Sequence, residues 1–177
     1  MILLLEEEKF EFDFPKAKAL YKFDERDINS PNYHSAPMKA VDVVAEFDKF
    51  QLWIEIKEFP PHSIKAMQQT KSTEADKQPK YNKAHLTENL KYKFRDTFLY
   101  RLCEDKTIKA IVYICLTNFD DALNGYFRKE LQRQIPAGKV SRNSDKYLIA
   151  KSQVYVVNKE AWNRNFAAKF GTCRKIV

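Results

Sequence analysis

Asp42 and the run Glu55-Ile56-Lys57 put two carboxylates and an ammonium group into a short stretch of chain, with twelve residues between the two acids. Two carboxylates that meet in one place raise each other's cost of ionisation, and a hard divalent cation removes that penalty. Mg²⁺ takes oxygen ligands, keeps several waters, and typically uses one or two protein carboxylates together with substrate phosphate. A lysine two residues past the second acid can then reach the phosphate or a metal-bound water. The chemistry that fits this set is Mg²⁺- or Mn²⁺-assisted hydrolysis of a phosphodiester.

Such a set works only if the backbone gathers it. Lys39 to Glu46 alternates apolar and polar residues, Asp48 to Gln51 is a polar turn, and Leu52 to Phe59 alternates again, which together predict a β-hairpin. Side chains two apart on a strand share a face. Glu55 and Lys57 therefore point one way, and Leu52, Ile54 and Ile56 point the other way into a core. On the first strand Asp42, Val44 and Glu46 share a face. A register that sets Asp42 opposite Glu55, or one pair away, brings the acids and the lysine to one end of the hairpin.

On Asp42 as first acid and Glu55-Ile56-Lys57 as the (D/E)-x-K element, the chain resembles the PD-(D/E)XK nuclease superfamily. Val41 stands where the superfamily's name has Pro. The resemblance implies a restriction-endonuclease-like α/β fold, a mixed central β-sheet flanked by helices, filling residues 1–177 as one domain. It implies Asp42, Glu55 and the Ile56 carbonyl as metal ligands, with Lys57 orienting or activating the attacking water. An acid before the hairpin often completes such a site. The candidates are Asp24, Glu25 and Asp27, and Glu25 is favoured because Asp24 continues an apolar side and Asp27 lies nearer the end of its segment. Lys91, Lys93 and Arg95, on the helix after the hairpin, would face phosphates. The implied partner is nucleic acid, DNA before RNA, with a homodimer or larger complex as a further expectation. A non-cleaving binding or assembly subunit of the same fold, in a defence or repair complex, is the alternative.

The remaining segments are read from pattern. Leu3 to Phe14 predicts one or two strands, and Pro15 to Asp27 a short helix with Ala17, Leu20, Tyr21 and Phe23 along one side. Pro60-Pro61 stops the hairpin's second strand, and residues 62–85 read as a long polar loop. Thr87 reads as the N-cap of a helix from Glu88 to Glu104, with Leu90, Phe94, Phe98 and Leu102 as its buried stripe. Ile108 to Leu116 is a nearly continuous apolar run, the mark of a strand buried on both faces. Asp120 or Asp121 caps a helix to about Ile135, Tyr147 to Val157 supplies a last strand or pair, and Asn158 caps a final helix containing Trp162.

Composition narrows the field. A chain of 177 residues, 44% apolar, can bury a core of its own. Acids outnumber bases over residues 1–60, and bases outnumber acids from 61 onward, giving a net charge of +7. Acids that hold cations beside bases that attract phosphates suit an enzyme acting on a polyanion. With Gly125, Gly138 and Gly171 widely spaced, there is no phosphate-cradling glycine motif. Cys103, Cys115 and Cys173 show no C-x-x-C spacing, and His34, His62 and His85 are far apart. The opening apolar run is too short for a signal peptide or a membrane span, so a cytoplasmic protein without membrane contact is expected.

Overall fold

The computed structural model describes residues 1–31, 33, 38–69, 82–106, 109–135 and 153–176. The fold is α/β, and the described residues form four helices and eight strands in two sheets. The larger sheet has five strands in the order β3 (Ala19–Lys22), β4 (Val43–Glu46), β5 (Phe50–Lys57), β6 (Ala110–Thr117), β7 (Val154–Asn158). Its first three strands are antiparallel, and β5, β6 and β7 run parallel, so the sheet is mixed. The smaller sheet pairs β1 (Ile2–Leu5), β2 (Phe10–Asp13) and β8 (Thr172–Lys175), all antiparallel.

The central strands explain the layering. Along β6, Ile111, Tyr113 and Cys115 enter one cluster, and Val112, Ile114 and Leu116 enter the other. Both faces are dry, as the unbroken apolar run predicts. The first face is covered by α1 (Pro61–Gln69), α2 (Lys83–Cys103) and α3 (Asp121–Gln134), through Met67, Leu86, Leu90, Phe94, Leu123 and Phe127. The second is covered by the small sheet and α4 (Lys159–Asn165), where Phe12 and Phe14 pack against Trp162 at centroid distances of 5.9 Å.

Several elements depart from their sequence-based outlines. The segment after Pro15 is a strand, β3, paired with β4 from Ala19↔Glu46 to Lys22↔Val43. Tyr21 and Leu20 pack on opposite faces of the sheet, so the apolar residues read as a helix stripe alternate instead, and the edge ladder of β4 decides between the two readings. The supposed loop from 62 opens with helix α1, and residues 70–81 lie outside the described residues. The α2 helix begins before Thr87: Asn82 is the N-cap, accepting from the Ala84 amide at 2.7 Å, and the Thr87 hydroxyl bonds back to the Lys83 carbonyl at 2.8 Å. That i−4 bond satisfies a threonine inside a helix and removes it as a cap. Asp120 caps α3 and Asn158 caps α4. Ile108 and residues 136–152, including most of the expected last strand pair, lie outside the described residues. Among the described residues no helix is long and apolar enough to cross a membrane.

The stripe on α2 is also different. Leu90 and Phe94 are buried and Phe98 is partly so, but Leu102 is 49% exposed. Strict four-residue steps gain about 40° per step on a helix of 3.6 residues per turn, so the stripe rotates off the core by its fourth member. The buried face mixes steps of three and four, running through Leu86, Thr87, Leu90, Lys93, Phe94, Thr97 and Arg101. More than half of that face is polar, and it faces the hairpin.

Candidate active site

The β4–β5 hairpin pairs Val43 with Ile54. One step before the start of β4 sets Asp42 opposite Glu55, one of the two registers the alternation allows. Asp42 itself is held at two points. Its carbonyl accepts from the Phe23 amide at 2.8 Å, and its Oδ2 accepts from the Ile56 amide at 2.6 Å, a group that β4 is too short to bond. The chain leading into it is gripped by α2: Asp96 Oδ2 accepts from the Lys39 amide and Thr97 Oγ1 from the Val41 amide, each at 2.9 Å.

Glu55 is fully buried, on the same face of β5 as Trp53 and beneath α2. Lys57 Nζ comes within 2.6 Å of its Oε1 and Lys93 Nζ within 3.3 Å of its Oε2, contacts that are ionic rather than well-directed hydrogen bonds. Burial first, and the Asp42 charge second, push the Glu55 carboxyl up to about 7, against the opposing pull of Lys57 and Lys93. For Lys57, burial works against the charge, but Glu55 and Asp42 outweigh it and hold the pKa above the usual lysine value. Lys57 is therefore an ammonium throughout the neutral range.

Lys93 is the largest surprise. Its position on the flank of α2 suggested a phosphate-facing side chain, yet it points inward and is 11% exposed, with Nζ 3.0 Å from Asp24 Oδ2, 3.3 Å from Glu55 Oε2 and 3.6 Å from Asp42 Oδ1. The upstream acid brought to this cluster is Asp24. Glu25 instead turns its Oε1 to the Asp27 amide at 2.9 Å. The reason is strand geometry: Asp24 is the second residue past β3, next to Phe23, whose amide is tied to Asp42. Burial acts to raise the Asp24 pKa, but Lys93 and Arg26 overcome it and hold the carboxyl below its usual range.

Lys91 and Arg95 remain on the outer part of α2. Between them in space lies Tyr92, whose ring has Lys91 at 5.1 Å, Arg95 at 5.3 Å and Lys39 at 5.8 Å from its centroid. Reading Lys91 and Arg95 as charges on a helix flank leaves out the Tyr92 ring that gathers them. The signal was the local string Lys91-Tyr92-Lys93. Lys39, just upstream of the first strand, could not be connected to it without the fold.

The donor set can be tested against a divalent cation. Asp42 Oδ1 and both oxygens of Glu55 are hard oxygens in a largely dry setting, and the two Glu55 oxygens have no directed hydrogen-bond donor, which suits Mg²⁺ or Mn²⁺. Among the described residues no three acidic, imidazole or thiol groups form a ready-made cage. Two carboxylates are the usual protein share of a Mg²⁺ site. In an extended strand a residue's C=O lies on the same side as its N–H, so the Ile56 carbonyl faces the side from which Asp42 approaches.

Fold and site together define an α/β protein with a buried acid pair, two lysines and a third acid at one end of a mixed sheet. Compared with known proteins, the chain matches no family, no curated protein and no solved structure.

Proposed function

We propose that this protein is a metal-dependent nuclease of the restriction-endonuclease-like kind, hydrolysing phosphodiester bonds in DNA or RNA. The observation that carries the reading is the convergence of Asp42 and Glu55, from adjacent strands, on cationic nitrogens within 3.6 Å, with Lys57 against Glu55. Buried like charges are costly unless cations neutralise them, and a structure that retains the pair gains from holding a cation there. A bound Mg²⁺ or Mn²⁺ would be held by Asp42, Glu55 and the Ile56 carbonyl, and when bound it supplies a water of lowered pKa and positive charge at the phosphoryl oxygens. Lys57, permanently charged, donates to the phosphate and stabilises charge developing in the transition state, and it is not a proton acceptor at neutral pH. Asp24 anchors Lys93 beside the acids. Lys39, Lys91 and Arg95 around Tyr92 offer phosphate contacts and a stacking face for the nucleic acid.

The test is cleavage of plasmid, linear DNA and RNA in Mg²⁺ or Mn²⁺ against EDTA. Asp42→Asn and Glu55→Gln should abolish cleavage while the domain stays folded, and Lys57→Ala should lower it by about 10²-fold or more. Lys91→Glu with Arg95→Glu should weaken binding and flatten its salt dependence. Cleavage that survives in the Asp42, Glu55 double variant would refute the assignment. One observation favours the second reading, a non-cleaving binding or assembly subunit: an ammonium already stands among the carboxylates. Salt-dependent nucleic-acid binding without cleavage in any metal would select it.

A further inference from the structure

The carboxylate cluster is laced with cations. Asp24, Asp42 and Glu55 are matched by Lys57, Lys93 and Arg26, the last with Nε 2.8 Å from Asp24 Oδ1. Lys93 alone touches all three acids. Its ammonium sits where carboxylate oxygens from β4 and β5 converge, the position a shared cation between Asp42 and Glu55 would take. A divalent ion entering with Lys93 in place would add two positive charges to a largely buried group and would meet the ammonium at close range, where repulsion is weakly screened. Two events remove that penalty: withdrawal of Lys93, or arrival of an anion.

Lysine suits such a part. Its charge is compact, its four-carbon stem is flexible, and its α2 neighbours Phe94 and Leu90 are fixed in the core, so the head can move without the helix. Resting on the nuclease reading above, we propose that Lys93 is a tethered counter-cation that occupies the divalent-cation position in the protein free of nucleic acid and yields it when a backbone phosphate enters. The entering phosphate supplies the negative charge that the metal requires and a new partner for the displaced ammonium. Metal binding and nucleic-acid binding are then coupled: each is weak alone and each strengthens the other, as linkage requires. The device keeps a hydrolytic site unloaded until substrate is present.

The experiment is Mn²⁺ titration by electron paramagnetic resonance of the free ion, on wild type, Lys93→Gln, Lys93→Met and Lys93→Arg, with thermal melts to verify folding. Without nucleic acid, the two neutral variants should bind Mn²⁺ at least about 10-fold more tightly than wild type, a change equivalent to about 1.4 kcal/mol. Lys93→Arg, which retains the charge, should stay as weak as wild type. Adding Asp42→Asn to Lys93→Gln should erase the gain, which locates the ion. A short duplex should tighten Mn²⁺ binding in wild type and change it little in Lys93→Gln. Equal Mn²⁺ affinity in wild type and both neutral variants would overturn the inference and leave the nuclease reading standing. So would Lys93→Arg binding as tightly as Lys93→Gln. The predicted affinity pattern together with no cleavage in any variant would support the tethered cation and overturn catalysis. Absence of Mn²⁺ binding in every variant, with and without duplex, would overturn both.

Discussion

At the scale of single residues, the cluster is a contest between burial and compensation. Glu55 has no exposure at all, and a lone carboxylate there would stay protonated. Lys57 and Lys93 do not fully cancel the effect of burial and of Asp42, which is why its carboxyl remains raised to about 7. Asp42 depends on neighbours outside the carboxylate cluster. Thr97 is fully buried, and its hydroxyl takes the Val41 amide, fixing the residue before Asp42. Thr97→Val keeps the shape and deletes the acceptor, leaving a buried N–H unpaired, so stability should fall by about 1–3 kcal/mol. Cleavage should fall as well, because the carboxylate is no longer held in register. Thr97→Ser should restore both in urea unfolding and nuclease assays, and equal activity in Thr97→Val and wild type would deny the positioning role.

At the scale of elements, the hairpin and α2 form one unit, fastened by Arg101 at the end away from the acids. Arg101 is fully buried and donates to Gln51 on β5 at 3.1 Å, to the Tyr21 hydroxyl on β3 at 2.7 Å, to Glu46 on β4 at 2.5 Å and to Glu104 at 2.9 Å. One guanidinium thus ties three strands to the helix that carries Lys93 and Thr97. Arg101→Met should cost about 3 kcal/mol, the scale for breaking a buried ion pair. The pH dependence follows from Glu46. Burial raises its pKa, but the Arg101 hydrogen bond and charge prevail and leave it below its ordinary value of 4.5. A depressed carboxyl contributes stability that is present above 4.5 and is lost as pH falls through the folded-state pKa. The gap between wild type and Arg101→Met in urea midpoints should therefore narrow as pH drops below 4.5, and a gap independent of pH would exclude Glu46 as the partner that matters. This unit was partly legible in the sequence. The two strands announce themselves by period-two alternation, so the faces of Asp42, Glu55 and Lys57 could be read directly, and their register to within one pair. The inward face of α2 could not, because Lys93, Thr97 and Arg101 are polar and a search for an apolar stripe passes over them. Asp24 was considered and set aside for the same reason that β3 was taken for a helix: four residues are too few to separate the two periods, and pairing with β4 settles the matter.

At the scale of the whole molecule, the two faces of the large sheet depend on different parts of the chain. The α2 and α3 side is built from segments lying between β5 and β7 in the sequence, and these two helices were visible between strands, while α1 was read as loop. The other side is closed by partners almost the length of the chain apart, because β2 pairs with β8 from Phe10↔Lys175 to Asp13↔Thr172. Nothing local marks Thr172 to Lys175 as a strand. Gly171 just before it has φ +128°, and a Cβ there would lie 2.0 Å from the Asp13 carbonyl oxygen, so backbone approach, not side-chain pattern, makes this junction. The consequence concerns the order of assembly. During synthesis β2 emerges early and waits for β8, while Leu52, Ile54, Ile56 and Leu116 on that face of the large sheet have no cover from Phe170 and Cys173. Contacts of such long sequence separation form late and slowly, and uncovered apolar strands associate with other chains in the interval. Removal of residues 166–177 should leave a product with much of its helical circular dichroism but with enhanced dye binding and aggregation on light scattering. The same truncation remaining monomeric with a native melting temperature would show that the face closes without β8. Gly171→Ala, which obstructs the junction without deleting it, should slow refolding from urea more than it alters the chemistry of Asp42 and Glu55, making the last strand a timer for when the newly made chain becomes safe from its neighbours.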